Sequence, residues 1–214
     1  MDKKCTVVFN PVAWAKMWML VDYFNSEVAW NALCRRSDHD DSVFLVDDVL
    51  VHKQKVTGGT VRTDPAEYDE WLGAFDDETF AKIRLHGHSH YQCFASPSPL
   101  DTELQEDIIS QLSGDMFYIF MIINRRRQMW LRVVDKKTDV DAEGADVSWN
   151  VKDDSMDLGV FLQVSKPLVE VCPIKTMTYK ELRKINTLTK KNKVGGKKSG
   201  SSKKLRSVSA GEAD

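Results

Sequence analysis

The feature that most constrains the fold is an unbroken apolar run, Met116–Ile123, which contains no charged residue. In a strand, successive side chains point to opposite sides, so this run would be apolar on both faces. Strands of this kind lie inside a sheet whose two faces are both covered. The sequence therefore predicts a β-sheet with this strand near its centre.

The rest of the chain predicts a mixture of strands and helices rather than strict alternation. With 214 residues and 42% hydrophobic content, the chain can bury one sizeable core. Periodicity and turn residues predict helices over 11–24, 67–81 and 101–112, and strands over 5–9, 27–35, 43–53, 82–90, 116–124 and 129–135. The predicted fold class is α+β, a mixed β-sheet with flanking helices.

The end of this predicted domain is less regular. Residues 135–157 are acidic and are predicted to be rich in loops. A last pair of strands is predicted near 158–164 and 168–174. The first domain is therefore expected to span residues 1–174.

The charge changes sign after this domain. Residues 1–174 carry a net charge of −11, whereas residues 175–206 contain twelve Lys and Arg and one acid, for a net charge of +11. Lys, Gly and Ser dominate 190–204 without an apolar pattern, which predicts a basic, largely disordered C-terminal tail over 175–214. The tail is either a solubilising segment or an anchor for nucleic acid or another polyanion.

The sequence predicts a cytoplasmic protein with no membrane segment. The apolar run 12–24 is interrupted by Lys16 and Asp22, and the first residues lack a long apolar core of the kind that signal peptides have. The four cysteines, at positions 5, 34, 93 and 172, show no CxxC spacing, which is typical of cysteines that stay reduced. The oligomeric state is left open.

Candidate metal ligands lie in the segment 88–101. His88 and His90 are two residues apart, so in a strand both imidazoles share one face and reach one cation. Asp101 follows in Ser98-Pro99-Leu100-Asp101 and supplies a carboxylate. Zinc accepts imidazole nitrogen and carboxylate oxygen, and three protein ligands leave one position open for chemistry.

Each half of this pattern has an alternative explanation. A His-x-His pair on a strand is often purely structural. Ser98, Pro99 and Asp101 are also the residues expected at the start of a helix, with Ser as the N-cap and Pro in the first turn. These explanations are independent, and neither predicts that a capped helix begins just after a histidine-rich strand. The combination favours metal binding.

The spacing His88-x-His90-x7-Ser98-x2-Asp101 resembles the metal signature of the JAMM/MPN metalloproteases, which hydrolyse peptide or isopeptide bonds. The family pattern includes an upstream glutamate at the start of a strand, a place that Glu27 fits better than the later glutamates 67, 70 and 78. Residues 5–135 resemble a bacterial and phage branch of the family. The chain departs from many eukaryotic members at Trp30 and Tyr91.

The resemblance implies a fold, a cofactor and a role for each residue. It implies an MPN-like fold with a cytidine-deaminase-like core, with Zn²⁺ held by His88, His90 and Asp101. Glu27 would be the general base, and Ser98 would stabilise the oxyanion. The implied substrate is a protein or peptide, either a ubiquitin-like conjugate or a phage or bacterial precursor. The alternatives are a non-catalytic MPN scaffold and a protein that acts on nucleic acid through its basic tail.

Three further features near the motif are given less active roles. His86 shares the face of His88 but is expected to be a supporting or core histidine. Cys93 is expected to be a small buried side chain, and it is also the obvious candidate for a fourth ligand if the metal were structural. Arg125-Arg126-Arg127 is expected to be a solvated hairpin tip, with contact to an acidic partner left open.

We expect the tail to be dispensable for folding and chemistry. A chain cut after Ile174 should remain folded and should keep its metal, because the Lys/Gly/Ser segment cannot offset its ordering entropy. If the tail is an anchor, the full chain should bind DNA or RNA with strong salt dependence in a filter-binding assay, whereas the truncated chain should not bind. Equal binding by both chains at low salt, or binding by neither, would exclude the anchor.

Overall fold

The computed structural model describes residues 5–152 and 163–171. The helices are α1 (Pro11–Tyr23), α2 (Pro65–Gly73), α3 (Asp77–Lys82) and α4 (Pro99–Ser110). The strands are β1 (Cys5–Phe9), β2 (Ala29–Arg36), β3 (Val43–Leu50), β4 (Gln54–Thr57), β5 (Thr60–Arg62), β6 (Ile83–His90), β7 (Phe117–Asn124), β8 (Met129–Asp135), β9 (Val140–Glu143), β10 (Val147–Val151) and β11 (Val169–Val171).

Eight strands form one mixed sheet in the order β10-β1-β3-β2-β6-β7-β8-β9. The predicted central strand is β7, and every residue in it is buried. It pairs in parallel with β6 and antiparallel with β8. The prediction of a mixed sheet with an interior apolar strand is confirmed. Three other strands form a small sheet in the order β11-β4-β5.

Helices cover the two faces of the large sheet. Asn10 caps α1 by accepting from the Val12 N–H, and α1 packs Ala13, Met17 and Leu20 into the larger apolar cluster. Tyr118 and Phe120 of β7 point to the opposite face. There they pack against Ile108, Ile109 and Leu112, at and just beyond the end of α4. The apolar side chains of β7 are therefore buried on both faces of the sheet.

The predicted helix 67–81 is wrong, because this segment forms two helices. Asp64 caps α2 with its side chain, and Pro65 occupies the first turn. Asp76 then caps α3 by accepting from the Thr79 N–H. A second N-cap inside an apparently continuous helical pattern restarts the helix, because its carboxylate satisfies amide groups that a continuous helix would bond internally.

The prediction of a loop-rich segment over 135–157 is wrong for the described part of that range, which contains strands β9 and β10; residues 153–157 are not described. Val140 and Ala142 are buried in β9, whereas Asp141 and Glu143 between and after them are exposed. This alternation is typical of a strand with one buried face, and the acidic residues occupy the solvent face. Strand β10 follows and pairs in parallel with β1 at the edge of the large sheet.

The C-terminal predictions fall largely outside the described residues. The predicted strand 158–164 overlaps residues 153–162, which are not described, and its last two residues are helical. The predicted strand 168–174 corresponds to β11, which pairs in parallel with β4. The domain boundary at 174 and the basic tail lie outside the described residues. No described helix has the length and apolar character needed to cross a membrane.

The hairpin tip between β7 and β8 is more than a solvated turn. The Arg125 guanidinium donates to the carbonyls of Val21, Asp22 and Phe24 at the end of α1, over 3.2, 3.1 and 3.4 Å. Arg127 forms an ion pair with the Asp22 carboxylate at 2.9 Å. Positive side chains at a helix C-terminus satisfy its free carbonyls and favour its dipole. The tip therefore fastens the hairpin to α1.

We expect Gly87→Ala to destabilise the protein. A Cβ atom at position 87 would lie 2.5 Å from Cε2 of the fully buried Trp30. Overpacking of this kind costs about 1–3 kcal/mol, which urea unfolding followed by circular dichroism would measure. Gly73→Ala is the control, since a Cβ there meets nothing within 4 Å. Equal stability of the two variants would contradict the packing argument.

Candidate metal centre

The candidate centre forms where the end of β6 meets the start of α4. Strand alternation places His86, His88 and His90 on one face of β6, and Leu85, Gly87 and Ser89 on the other. Helix α4 begins after Ser98, and Asp101 is in its first turn. Both local structures follow the sequence prediction, and they bring the strand face and the helix terminus together.

The three predicted ligands converge. The distance from His88 Nε2 to His90 Nε2 is 3.1 Å, from His88 Nε2 to Asp101 Oδ1 3.2 Å, and from His90 Nε2 to Asp101 Oδ2 3.5 Å. Ligand atoms on a tetrahedral zinc, each about 2.0–2.2 Å from the metal, lie roughly 3.4 Å apart. The observed separations are close to this spacing, with the two histidines nearest to different oxygens of the same carboxylate. His88, His90 and Asp101 therefore form a group that could hold a metal ion.

A hydrogen bond sets the tautomer of His90. Its Nδ1 lies 2.8 Å from the carbonyl oxygen of Phe94, which can only accept. Nδ1 therefore carries a proton, which leaves Nε2, on the side of Asp101 and His88, as the nitrogen that can bind either a proton or a metal ion. Protein partners of this kind commonly orient histidine ligands. The hydrogen bond with Asp101 raises the pKa of His90 above its ordinary value.

Asp101 is held by the same interactions that start α4. Its Oδ2 accepts from the Ser98 N–H at 2.7 Å, which completes a capping box. Burial alone would raise the pKa of the Asp101 carboxyl, but hydrogen bonds with His88 and His90 hold it well below its usual range. The carboxylate is therefore ionised and oriented, as a metal ligand must be.

Ser98 caps the helix, as one of the two interpretations of the sequence predicted. Its Oγ accepts from the Asp101 N–H at 3.3 Å. A hydroxyl has two acceptor sites and one donor, and the cap uses an acceptor site. Capping therefore does not prevent Ser98 from donating its proton to another oxygen. Capping and donation to a substrate oxygen are therefore compatible roles for Ser98.

The structure places Glu27 beside this group. Glu27 lies just before β2 and is partly buried. Burial raises the pKa of its carboxyl above the usual value, while the nearby charges of His90 and His88 act in the opposite direction. The other candidate glutamates are exposed: Glu67 and Glu70 on α2, and Glu78 on α3.

Two neighbouring residues stay outside the ligand group. Burial lowers the pKa of His86 to about 3, so this ring is neutral, and its centroid lies 6.1 Å from that of His88. Cys93 is exposed, so the expectation that it is a buried hydrophobe is wrong. Among residues 5–152 and 163–171, the group that contains His88 has three members and does not include Cys93.

Sequence reasoning missed three buried polar residues that support the centre. Ser89 bonds twice with Val28: its N–H donates to the Val28 carbonyl at 2.8 Å, and its Oγ accepts from the Val28 N–H at 3.0 Å. Asn124 donates to the Cys93 carbonyl at 2.9 Å and so holds the loop after β6. Gln54 bonds to the main chain of Ala29. A polar residue at the end of an apolar strand, such as Asn124, was the available signal.

The chain matches no protein-family model and no curated protein.

We expect the bound metal to depend on the converging ligands. Purified protein should carry one metal ion per chain, and His88→Ala or Asp101→Ala should lose it, because two remaining ligands bind far more weakly than three. Elemental analysis of dialysed protein measures this. His86→Ala is the matched control, since it removes a histidine from the same strand face outside the ligand group. Full metal retention by both ligand variants would show that the ligands are wrongly assigned.

Proposed function

We propose that the chain is a zinc-dependent hydrolase of the JAMM/MPN type, which cleaves a peptide or isopeptide bond in a protein substrate. The observation that carries this proposal is that a partly buried carboxyl, Glu27, interacts electrostatically with His88, His90 and Asp101, three side chains that could together hold a metal ion. The resemblance in motif spacing supports the same assignment. The large mixed sheet with helices on both faces is compatible with an MPN-like fold.

The donor set suits zinc. Two imidazole nitrogens and one carboxylate oxygen are the mixed ligands of many catalytic zinc sites, in which the fourth position is open. A structural zinc is normally closed by a fourth protein ligand, and Cys93 does not join the group. Zinc in this position would act as a Lewis acid that makes a water molecule nucleophilic near neutral pH.

Glu27 is assigned the proton transfers. A general base works best when its pKa lies close to the operating pH, and burial moves the pKa of Glu27 upward in that direction. Its carboxylate would accept a proton from the attacking water and deliver it to the leaving amine. Because Glu27 is not one of the three ligands, these transfers would leave the metal-binding set intact.

Ser98 is assigned to stabilise the negative charge that develops on the oxygen of the scissile carbonyl. Its hydroxyl is fixed at the start of α4 by the cap, which uses an acceptor site and leaves the proton for donation. A fixed donor aimed at a developing oxyanion is worth more than a mobile one, because it needs no reorganisation during the reaction. The cap would thus hold the donor in place.

We expect Glu27→Gln to abolish hydrolysis without loss of metal. The amide is nearly the same size as the carboxyl but cannot accept the proton, and loss of a general base typically costs about 10²–10⁴-fold in rate. Cleavage would be followed on isopeptide-linked ubiquitin dimers and on a mixed peptide library, with metal content measured in parallel. Glu70→Gln, in an exposed position on α2, is the control and should behave as wild type.

Two outcomes would count against the proposal. If Glu27→Gln cleaves as fast as wild type, Glu27 is not the base. If metal-loaded wild-type protein cleaves neither substrate set, the non-catalytic scaffold becomes the better assignment.

A further inference from the structure

We propose that Gln54 is the positioning residue for Glu27, and that the small sheet β11-β4-β5 serves to hold the general base against the metal centre. This inference rests on the proposed function for its catalytic consequence. Its structural part, the fixing of residues 27–29 by Gln54, stands on the geometry alone.

Gln54 is the first residue of β4, and its side chain is 2% exposed. Its Oε1 accepts from the Ala29 N–H at 2.9 Å, and its Nε2 donates to the Ala29 carbonyl at 2.8 Å. The same Nε2 also donates to the His52 carbonyl at 3.2 Å. One side-chain amide therefore satisfies both main-chain groups of Ala29, as a neighbouring strand would.

The main chain of residues 27–29 forms hydrogen bonds alternately to β4 and to β6. The Glu27 N–H donates to the Thr57 carbonyl of β4 at 2.9 Å, and Ala29 bonds to Gln54 at the other end of the same strand. Val28 between them bonds in the opposite direction, to Ser89 of β6. This is the alternation of a strand with a neighbour on each side. The small sheet holds one edge of the segment, and the ligand-bearing strand holds the other.

The support from Gln54 affects the direction of the Glu27 side chain. Without this amide, the buried N–H and C=O of Ala29 would lack partners, and such groups are costly to leave unpaired. The segment would then shift or loosen at Ala29, two residues from Glu27. Displacement of a catalytic group by about 1 Å can lower a rate by about 100-fold. The hydrogen bonds that orient His90 and Asp101, to Phe94 and Ser98, do not involve Gln54.

The test is a double-variant cycle on the full chain. Gln54→Ala should lower kcat by about 10- to 100-fold, leave KM near wild type and retain one metal per chain. In a Glu27→Gln background, Gln54→Ala should cause no further loss, because a residue that acts only through Glu27 has no effect once that carboxylate is gone. Gln111→Ala, at an exposed position after α4, is the control and should not change kcat.

A second measurement does not need activity. In amide hydrogen exchange of the full chain, Gln54→Ala should accelerate exchange at Ala29 by at least about tenfold relative to wild type, whereas Ile122 in β7 should keep its protection. If wild-type protein cleaves no substrate, the proposed function fails while this exchange result still decides whether Gln54 fixes the segment.

Three results would overturn the inference. The first is an unchanged kcat in Gln54→Ala. The second is a loss of kcat in the Glu27→Gln background as large as the loss that Gln54→Ala causes in the wild-type background. The third is unchanged exchange at Ala29, which would show that the segment keeps its position without the Gln54 amide.

Discussion

The contact between Trp30 and Gly87 is the constraint on which the candidate centre depends most. Trp30 of β2 is fully buried, and its indole occupies the space that any side chain at position 87 would need. This packing fixes the pairing of β2 with β6, in which Ala29 lies opposite His88. A slip of one residue would turn the histidines toward the core. The contact thus keeps the strand that follows Glu27 in register with the ligands.

The fold and the candidate metal centre depend on the same bonds at several positions. The hydrogen bond from the Ser98 N–H to Asp101 both starts α4 and orients the carboxylate. In β6, Leu85 contributes to the apolar core while His86, His88 and His90 point to the opposite face. Because one strand serves both purposes, substitutions on its core face would affect the candidate centre through the register of the strand rather than through direct contact.

The parts that could be predicted from the sequence are those with a local cause. The apolar run of β7 reveals an interior strand, and the cap at Ser98 follows from residue types three positions apart. His88 and His90 share a face by alternation alone. Glu27 has no local signal for its role, because its partners are about sixty residues away, and only the family pattern points to it. The Gln54 contact with Ala29 depends on how a separate small sheet docks, which no local pattern specifies.

The errors have equally specific causes. The acidic residues of β9 suggested a loop, although Asp141 and Glu143 alternate with buried Val140 and Ala142. Asp76 restarts a helix that periodicity alone would continue. Cys93 was assigned to the interior because cysteine is usually buried, whereas its exposure is set by the path of the loop after β6.

The hydrogen bonds of Arg125 connect the end of α1 to the hairpin between β7 and β8. This guanidinium joins the last carbonyls of the helix to the hairpin, while the preceding residue, Asn124, holds the loop whose Phe94 carbonyl sets the tautomer of His90. Proteins open locally in roughly contiguous cooperative units, and bonds of this kind connect the helix end, the hairpin and the loop. Fraying at the end of α1 would therefore loosen the loop whose carbonyl orients a candidate ligand.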